Sequence, residues 1–220
     1  MVNAVHTESI SVWTVFFMGK CVKRVCICLM IAALVWCARV LSERSMLKEG
    51  LIRLHVVANS DTEEDQSIKL QVRDVVLSSI QEDLQKLSDV DAAKEYLQIN
   101  LPKIQETANA VLERAGVDSA SIVTLGREAF GTRVYDTFTL PAGVYESLRI
   151  VIGEGQGHNW WCVAFPSLCV PETEDAFEDA AVSAGFSDSL SETLGEKEEH
   201  EIHFFFLDKL GQLENIFFTG

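Results

Sequence analysis

Two side chains stand where a nucleophile and its base could meet. His158 precedes Cys162 by four residues, inside Gly153-Glu154-Gly155-Gln156-Gly157-His158-Asn159-Trp160-Trp161-Cys162. A neighbouring base lowers the cost of forming a thiolate, so the pair has the residue types of a thiol hydrolase. A second cysteine, Cys169, follows seven residues on and could consume that thiol. Once the cysteines in the apolar front are set aside, Cys162 and Cys169 are the pair left for a folded part. In an oxidising compartment they read as a disulfide. A straight strand of seven residues spans roughly 23 Å, whereas bridged Cα atoms lie within about 7 Å. The bridge therefore needs a turn, which Pro166-Ser167 can supply. The other reading is two reduced cysteines packed as small hydrophobes.

Other chemistry is weaker. Gly153, Gly155 and Gly157 resemble a phosphate loop, but such loops open a helix. Here a Trp-Trp strand follows, and a hairpin loop accounts for the glycines. His200 and His203, with Glu198 and Glu199, could suggest a metal. The run Glu201-Ile202-His203-Phe204-Phe205-Phe206-Leu207 reads as a strand, which sends the two histidines to opposite faces. No cofactor and no catalytic constellation is expected. What remains is binding: Gly155, Gly157, His158, Asn159, Trp160 and Trp161 form a candidate contact surface, since Trp is enriched at interface centres. The bland alternative is that the two tryptophans alternate across a strand, one in the core and one half-buried.

The elements that must position these residues follow from pattern. The chain has 220 residues and a net charge of −15; residues 1–50 hold six Lys/Arg against three Asp/Glu, leaving −18 on the rest. Such a surface repels phosphate backbones and argues against nucleic-acid binding. Residues 1–24 form a cytoplasmic N-terminal region. Residues 25–38 carry no charge, and the segment 25–42, behind Lys20, Lys23 and Arg24, reads as a signal peptide or signal anchor. Its uncharged part gives roughly 21 Å of helix against a hydrocarbon core of about 30 Å. From residue 50 to 220 one extracytoplasmic α+β domain is expected, its helices packed on a mostly antiparallel sheet. Residues 51–58 form the first strand, with Arg53 and His55 on one face. Ser60 and Glu63 make a capping box, and Ile68, Val72, Val76, Ile80 and Leu84 keep a helical period. Asp89 caps the next helical region, which Pro102 should split near Asn100; Gly116 closes it. Strands follow at 122–129, 134–140, 148–152 and 160–165, with a turn at Pro141-Ala142-Gly143. Residues 172–201 are strongly acidic and read as a solvated loop.

Three ordered blocks carry a family resemblance. They are Arg53-Leu54-His55-Val56-Val57-Ala58-Asn59-Ser60-Asp61 with Asp65-Gln66 and Lys69-Leu70-Gln71-Val72-Arg73-Asp74; residues 140–153; and Asn159-Trp160-Trp161-Cys162 through Cys169. Over residues 51–169 the chain resembles the stage II sporulation protein R family; the acidic stretch and the front before Val25 depart from the pattern. The resemblance implies an intercellular sporulation signal, exported from the forespore into the intermembrane space. It would be secreted, or held by residues 25–42. Its implied partner is a membrane-embedded aspartic protease that processes the pro-form of the early mother-cell sigma factor. It implies no catalytic residues.

Overall fold

The computed structural model describes residues 5–135, 138–166, 194 and 201–219, with side-chain surroundings from Val22 onward and, in the last helix, from Phe204 to Phe218. The chain divides into two compact units, Met1–Ser42 and Glu43–Gly220.

Helix α1 runs Val5–Gly50. Within it, Val22–Gly50 is long and apolar enough to cross a membrane. Its apolar side chains face outward all round: Leu29, Leu34 and Val35 are each about two-thirds exposed. A helix that is apolar on every side and buries little of itself suits lipid better than water. The uncharged run alone is too short to span, but the helix continues through it without a break.

The second unit is an α+β domain, and its sheet is mixed. Strand β1 (Ile52–Val57) is followed by α2 (Glu63–Leu84), α3 (Val90–Arg114), β2 (Ser121–Phe130), the two-residue strands β3 (Arg133–Val134) and β4 (Thr139–Leu140), β5 (Gly143–Ile152), β6 (Asn159–Phe165) and α4 (Glu201–Thr219). The sheet order is β2-β5-β1-β6. β5 pairs antiparallel with β2 and parallel with β1, and β6 pairs antiparallel with β1. The 153–158 loop is therefore not a hairpin, as its glycines suggested. It steps over the end of β1 and delivers the chain to the far edge.

β1 is central, and all six of its residues are buried. Its even positions, Ile52, Leu54 and Val56, face α2 and α3 and join Val123, Leu148, Ile150 and Cys162 in the larger core. α2 contributes Ile68, Val72, Val76, Ile80 and Leu84; α3 contributes Ala93, Leu97, Ile104, Ala108 and Leu112. Each fully buried aliphatic chain of this kind contributes about 1.5–3 kcal/mol. The odd face carries a smaller core of Leu47, Leu51, Phe130, Phe138, Leu140, Tyr145, Val163 and Leu194.

Several local expectations change. The cap of α2 is Thr62, whose hydroxyl accepts from Asp65 N, because Ser60 is drawn into the loop network described below. α3 does not split: Pro102 lies inside one 25-residue helix. The residue robbed of its partner, Gln98, is exposed, so water can meet its carbonyl, while both flanking turns are held by buried Leu97 and Ile104. Asp89 does cap α3, accepting from Ala92 N. At the other end Val117 N donates to Leu112 O and Gly116 N to Glu113 O, with Gly116 at φ 72°, a Schellman closure. The 134–140 run is not one strand but the two arms of the β3–β4 hairpin. The turn at Pro141 is shorter than its sequence suggested, since β5 already starts at Gly143.

The largest correction is α4, helical where a strand was expected at 201–207. Its buried positions, Leu207 and Gly211, with half-buried Phe204, Asp208, Glu214 and Asn215, recur at helical spacing. The three consecutive phenylalanines hid that period. Of the acidic stretch 172–201, residues 172–193 and 195–200 lie outside the described residues.

Candidate functional site

The end of β1 organises the site. Ala58, Asn59 and Asp61, just past the strand, each hold the 153–158 loop by hydrogen bonds, and Ser60 between them turns to α2. Gln156 N and Gly157 N donate to the carbonyls of Asn59 and Ala58, both at 3.0 Å. Glu154 N donates to Asn59 Oδ1 at 3.0 Å. His158 N donates to Asp61 Oδ1 at 2.6 Å, and the same oxygen meets His158 Nδ1 at 2.5 Å.

From below, α2 completes the brace. Asp65 accepts from Asn59 Nδ2 at 3.0 Å and from Ser60 Oγ at 2.5 Å. Gln66 Nε2 donates to Ser60 O, and Lys69 Nζ donates to Gln66 Oε1 and to His158 O. These contacts set the charges. The Ser60 hydroxyl and the Asn59 amide hold Asp65 below the usual carboxylate range. The His158 ring and amide do the same for Asp61. Burial lowers the pKa of Lys69, against the pull of Asp61.

The glycines are there for space as much as for backbone angle. Gly153 and Gly155 have φ of 54° and 62°, which L side chains rarely adopt. A Cβ at Gly153 would sit 2.3 Å from Asn59 Oδ1, and one at Gly157 only 2.2 Å from Ser60 O. The loop is thus a braced ledge. Its outward side chains are Glu154, Gln156 and His158; the His158 side chain is 80% exposed.

Asn159 begins β6 opposite Val57. Trp160 and Trp161 then point to opposite faces of this edge strand, each half-buried. Trp160 packs on the larger core with the Arg73 guanidinium 4.2 Å above its ring. Trp161 stacks on His55 at 5.6 Å and lies under Arg133 at 3.6 Å. Both tryptophans therefore brace the sheet, and their exposed parts flank the ledge.

The Cys162–His158 pair is not assembled for catalysis. Cys162 is buried in the larger core and is disulfide-bonded, so it has no thiol to ionise. About 13 Å of extended chain separate it from His158, whose ring is engaged by Asp61. Cys169 lies outside the described residues, as does His200. The side-chain surroundings of Glu201, Ile202 and His203 are likewise undescribed. The face argument for the two histidines lapses with the strand. Among the described residues no group of three or more His, Cys, Asp or Glu side chains could hold a metal ion.

One polar cluster was only half legible. Arg53 and His55 do share a face of β1, but neither reaches solvent. Arg53 donates to Tyr135 OH at 2.9 Å and lies 4.1 Å from the Phe130 ring centroid and 5.3 Å from that of Tyr145. His55 Nδ1 contacts both Glu128 carboxylate oxygens, at 2.9 and 3.0 Å. Burial alone would raise Glu128, yet the bond with His55 holds it below the usual range. The alternation of β1 pointed to Arg53 and His55; only the placement of β2 two strands away supplies Glu128.

Fold and site together define a class: an α+β domain that follows a helix able to cross a membrane and presents a braced polar ledge, with no nucleophile assembled among the described residues. A family model described as Stage II sporulation protein R matches residues 48–175. The protein of that name from Bacillus subtilis (strain 168) is 30% identical over 188 residues, covering 76% of this chain and 83% of its own length. No solved structure matches the chain. The chain belongs to the stage II sporulation protein R family.

Proposed function

We propose that this protein is a sporulation signal that acts by binding. It is carried across the forespore membrane by residues 25–42 and activates a membrane-embedded aspartic protease, which then processes the pro-form of the early mother-cell sigma factor. Membership of the family supports the sporulation role. The observation that carries the binding mode is the braced ledge. Two neighbouring segments, 59–61 and 65–69, and a third far along the chain, 153–158, lock one another so that Glu154, Gln156 and His158 stand outward on a backbone with little freedom left to lose. Preorganisation of this kind lowers the entropic cost of association. A receptor is switched only through differential affinity for its active state, and a rigid surface suits that demand.

The test is reconstitution. The full chain is co-expressed with the candidate protease and pro-sigma factor in a host that lacks all three, and processing is followed. Processing should depend on this chain. His158→Ala with Gln156→Ala should cut it about tenfold or more, equivalent to about 1.4 kcal/mol of binding, while the variant stays folded. Trp160→Ala and Trp161→Ala should also abolish signalling, but they remove sheet packing as well, so the ledge pair is the cleaner probe. Full processing with the folded ledge variant would refute the proposed surface.

A further inference from the structure

β2 is an edge strand, and its free side is only half closed. In its antiparallel pairing with β5, successive residues turn their amide and carbonyl alternately toward β5 and outward. The caps fix the phase. Ser121 N donates to Asn109 Oδ1 and Val123 N to Gln105 Oε1, both side chains of α3. The odd positions therefore face outward, and Leu125, Arg127 and Ala129 continue that row. Among the described residues no hydrogen bond engages their outward amides or carbonyls. Shielding of the edge stops at Val123.

Two further features mark the open half. Gly126 lies in the middle of it. A Cβ there would meet nothing within 4 Å, and its backbone is not left-handed, so nothing inside the domain asks for glycine. Glycine within a strand weakens it and often marks the close approach of another backbone. Beside the same edge, the flank of α3 that carries Gln105 and Asn109 also carries Leu101, Pro102 and Glu106, around a groove of about 600 Å³. Asn109 meets Ser121 and Gln105 meets Val123, so α3 runs antiparallel to β2. One helical turn, about 5.4 Å, matches two strand residues, about 6.8 Å, which brings Leu101 level with Leu125.

We propose that β2 accepts an extended segment of the receptor as a fifth strand along 125–129, with alternate side chains of that segment entering the α3 groove. This rests on the reading that the protein acts by binding a receptor. A row of unpaired amides and carbonyls recognises one chemistry, an extended backbone. A second copy of this chain fits poorly. A two-fold antiparallel pairing that uses all three open residues sets Arg127 against its own counterpart, and like charges directly opposite are destabilising. Arg127 has no ion pair among the described residues, and Glu146, opposite it in the ladder, is held by Lys94. The segment that fits thus carries a carboxylate opposite Arg127.

The test is amide exchange in the complex. The full chain, co-expressed with the candidate protease and purified with it in detergent, is compared with the free chain by hydrogen–deuterium exchange resolved to single residues. The amides of Leu125, Arg127 and Ala129 should slow about tenfold or more, while capped Ser121 and Val123 stay as they were. Arg127→Pro removes one outward donor and none of the bonds to β5, a place where an edge strand tolerates proline. It should keep the ladder amides protected and weaken the complex about tenfold. Arg127→Glu, which leaves the backbone untouched, should weaken it through charge alone. A complex with no slowing at 125, 127 and 129, or one that holds both variants at full affinity, overturns strand addition and leaves the receptor reading intact. Slowing at those amides in the chain alone, rising with its concentration, assigns the edge to a second copy and overturns the proposal too. Failure to form any complex overturns both readings.

Discussion

Gly157 shows how tightly single residues are held at the ledge. Its missing Cβ is the space that Ser60 O occupies, so Gly157→Ala must move either the loop or the end of β1. We expect a drop of several degrees in Tm and loss of signalling, whereas Gln156→Ala, at an outward position, should leave Tm unchanged. Asp65 supplies a pH dependence. Its folded pKa is lowered by Ser60 and Asn59, so its stabilisation is complete above the ordinary aspartate value of about 3.9. It is lost as pH falls through the lowered folded value. Thermal melts should therefore show Asp65→Asn less stable than the parent at neutral pH, with the gap closing only in strong acid. Cys162 is half of a disulfide, and a non-reducing peptide map should find it joined to Cys169. Free thiols at both positions would contradict this and reopen the hydrolase reading.

At the scale of elements, two helices depart from their own sequence signals. α3 carries Pro102 at an exposed position, where a helix interior loses about 3 kcal/mol relative to alanine. Its amphipathic face, Leu97 to Leu112, keeps it whole by packing. Pro102→Ala should accordingly raise stability by about 1–3 kcal/mol, read as a higher denaturant midpoint; a fall would mean the proline fits a bend the sheet requires. α4 depends on Gly211. A Cβ there would lie 1.5 Å from Ala142 O, so Gly211→Ala should undock the helix and expose its amides to hydrogen exchange while β1 and β5 stay protected. Edge strand β2 is shielded differently: Asn109 and Gln105 of α3 accept from Ser121 N and Val123 N, which removes donors that a foreign strand could use.

For the whole molecule, charge and hydropathy divide the labour. The apolar front of α1 suits a bilayer, and the remainder carries the acidic charge. Among the buried ionisable residues are Lys69 and Glu43, but Arg53 and His55 lie together on the sheet face opposite α2 and α3. There Arg53 is met by two aromatic rings and a tyrosine hydroxyl, and His55 by Glu128. An isolated buried cation is costly, and contact with aromatic faces returns up to about 2 kcal/mol. Those rings belong to β2 and β5, so this cluster ties edge strand β2 and the two central strands β5 and β1 into one unit.

The periodicities of α2 and β1, the caps at Asp89 and Gly116, and the apolar segment were legible because each is a local pattern that the chain satisfies by itself. So was the importance of 59–61 and 153–161, since unusual residue types were concentrated there. What the pattern could not supply was any relation between distant segments. That the glycine loop crosses β1 rather than turning a hairpin depends on the parallel pairing of β5 with β1, a long-range choice made by α2 and α3 covering one sheet face. That Glu201 begins a helix depends on Gly211, Asp208 and Glu214 finding Ala142 and Arg44 across the fold. Local sequence determines which segments can form helix or strand; which backbone groups are left to be satisfied, and by what, is decided only when the tertiary structure brings those segments together.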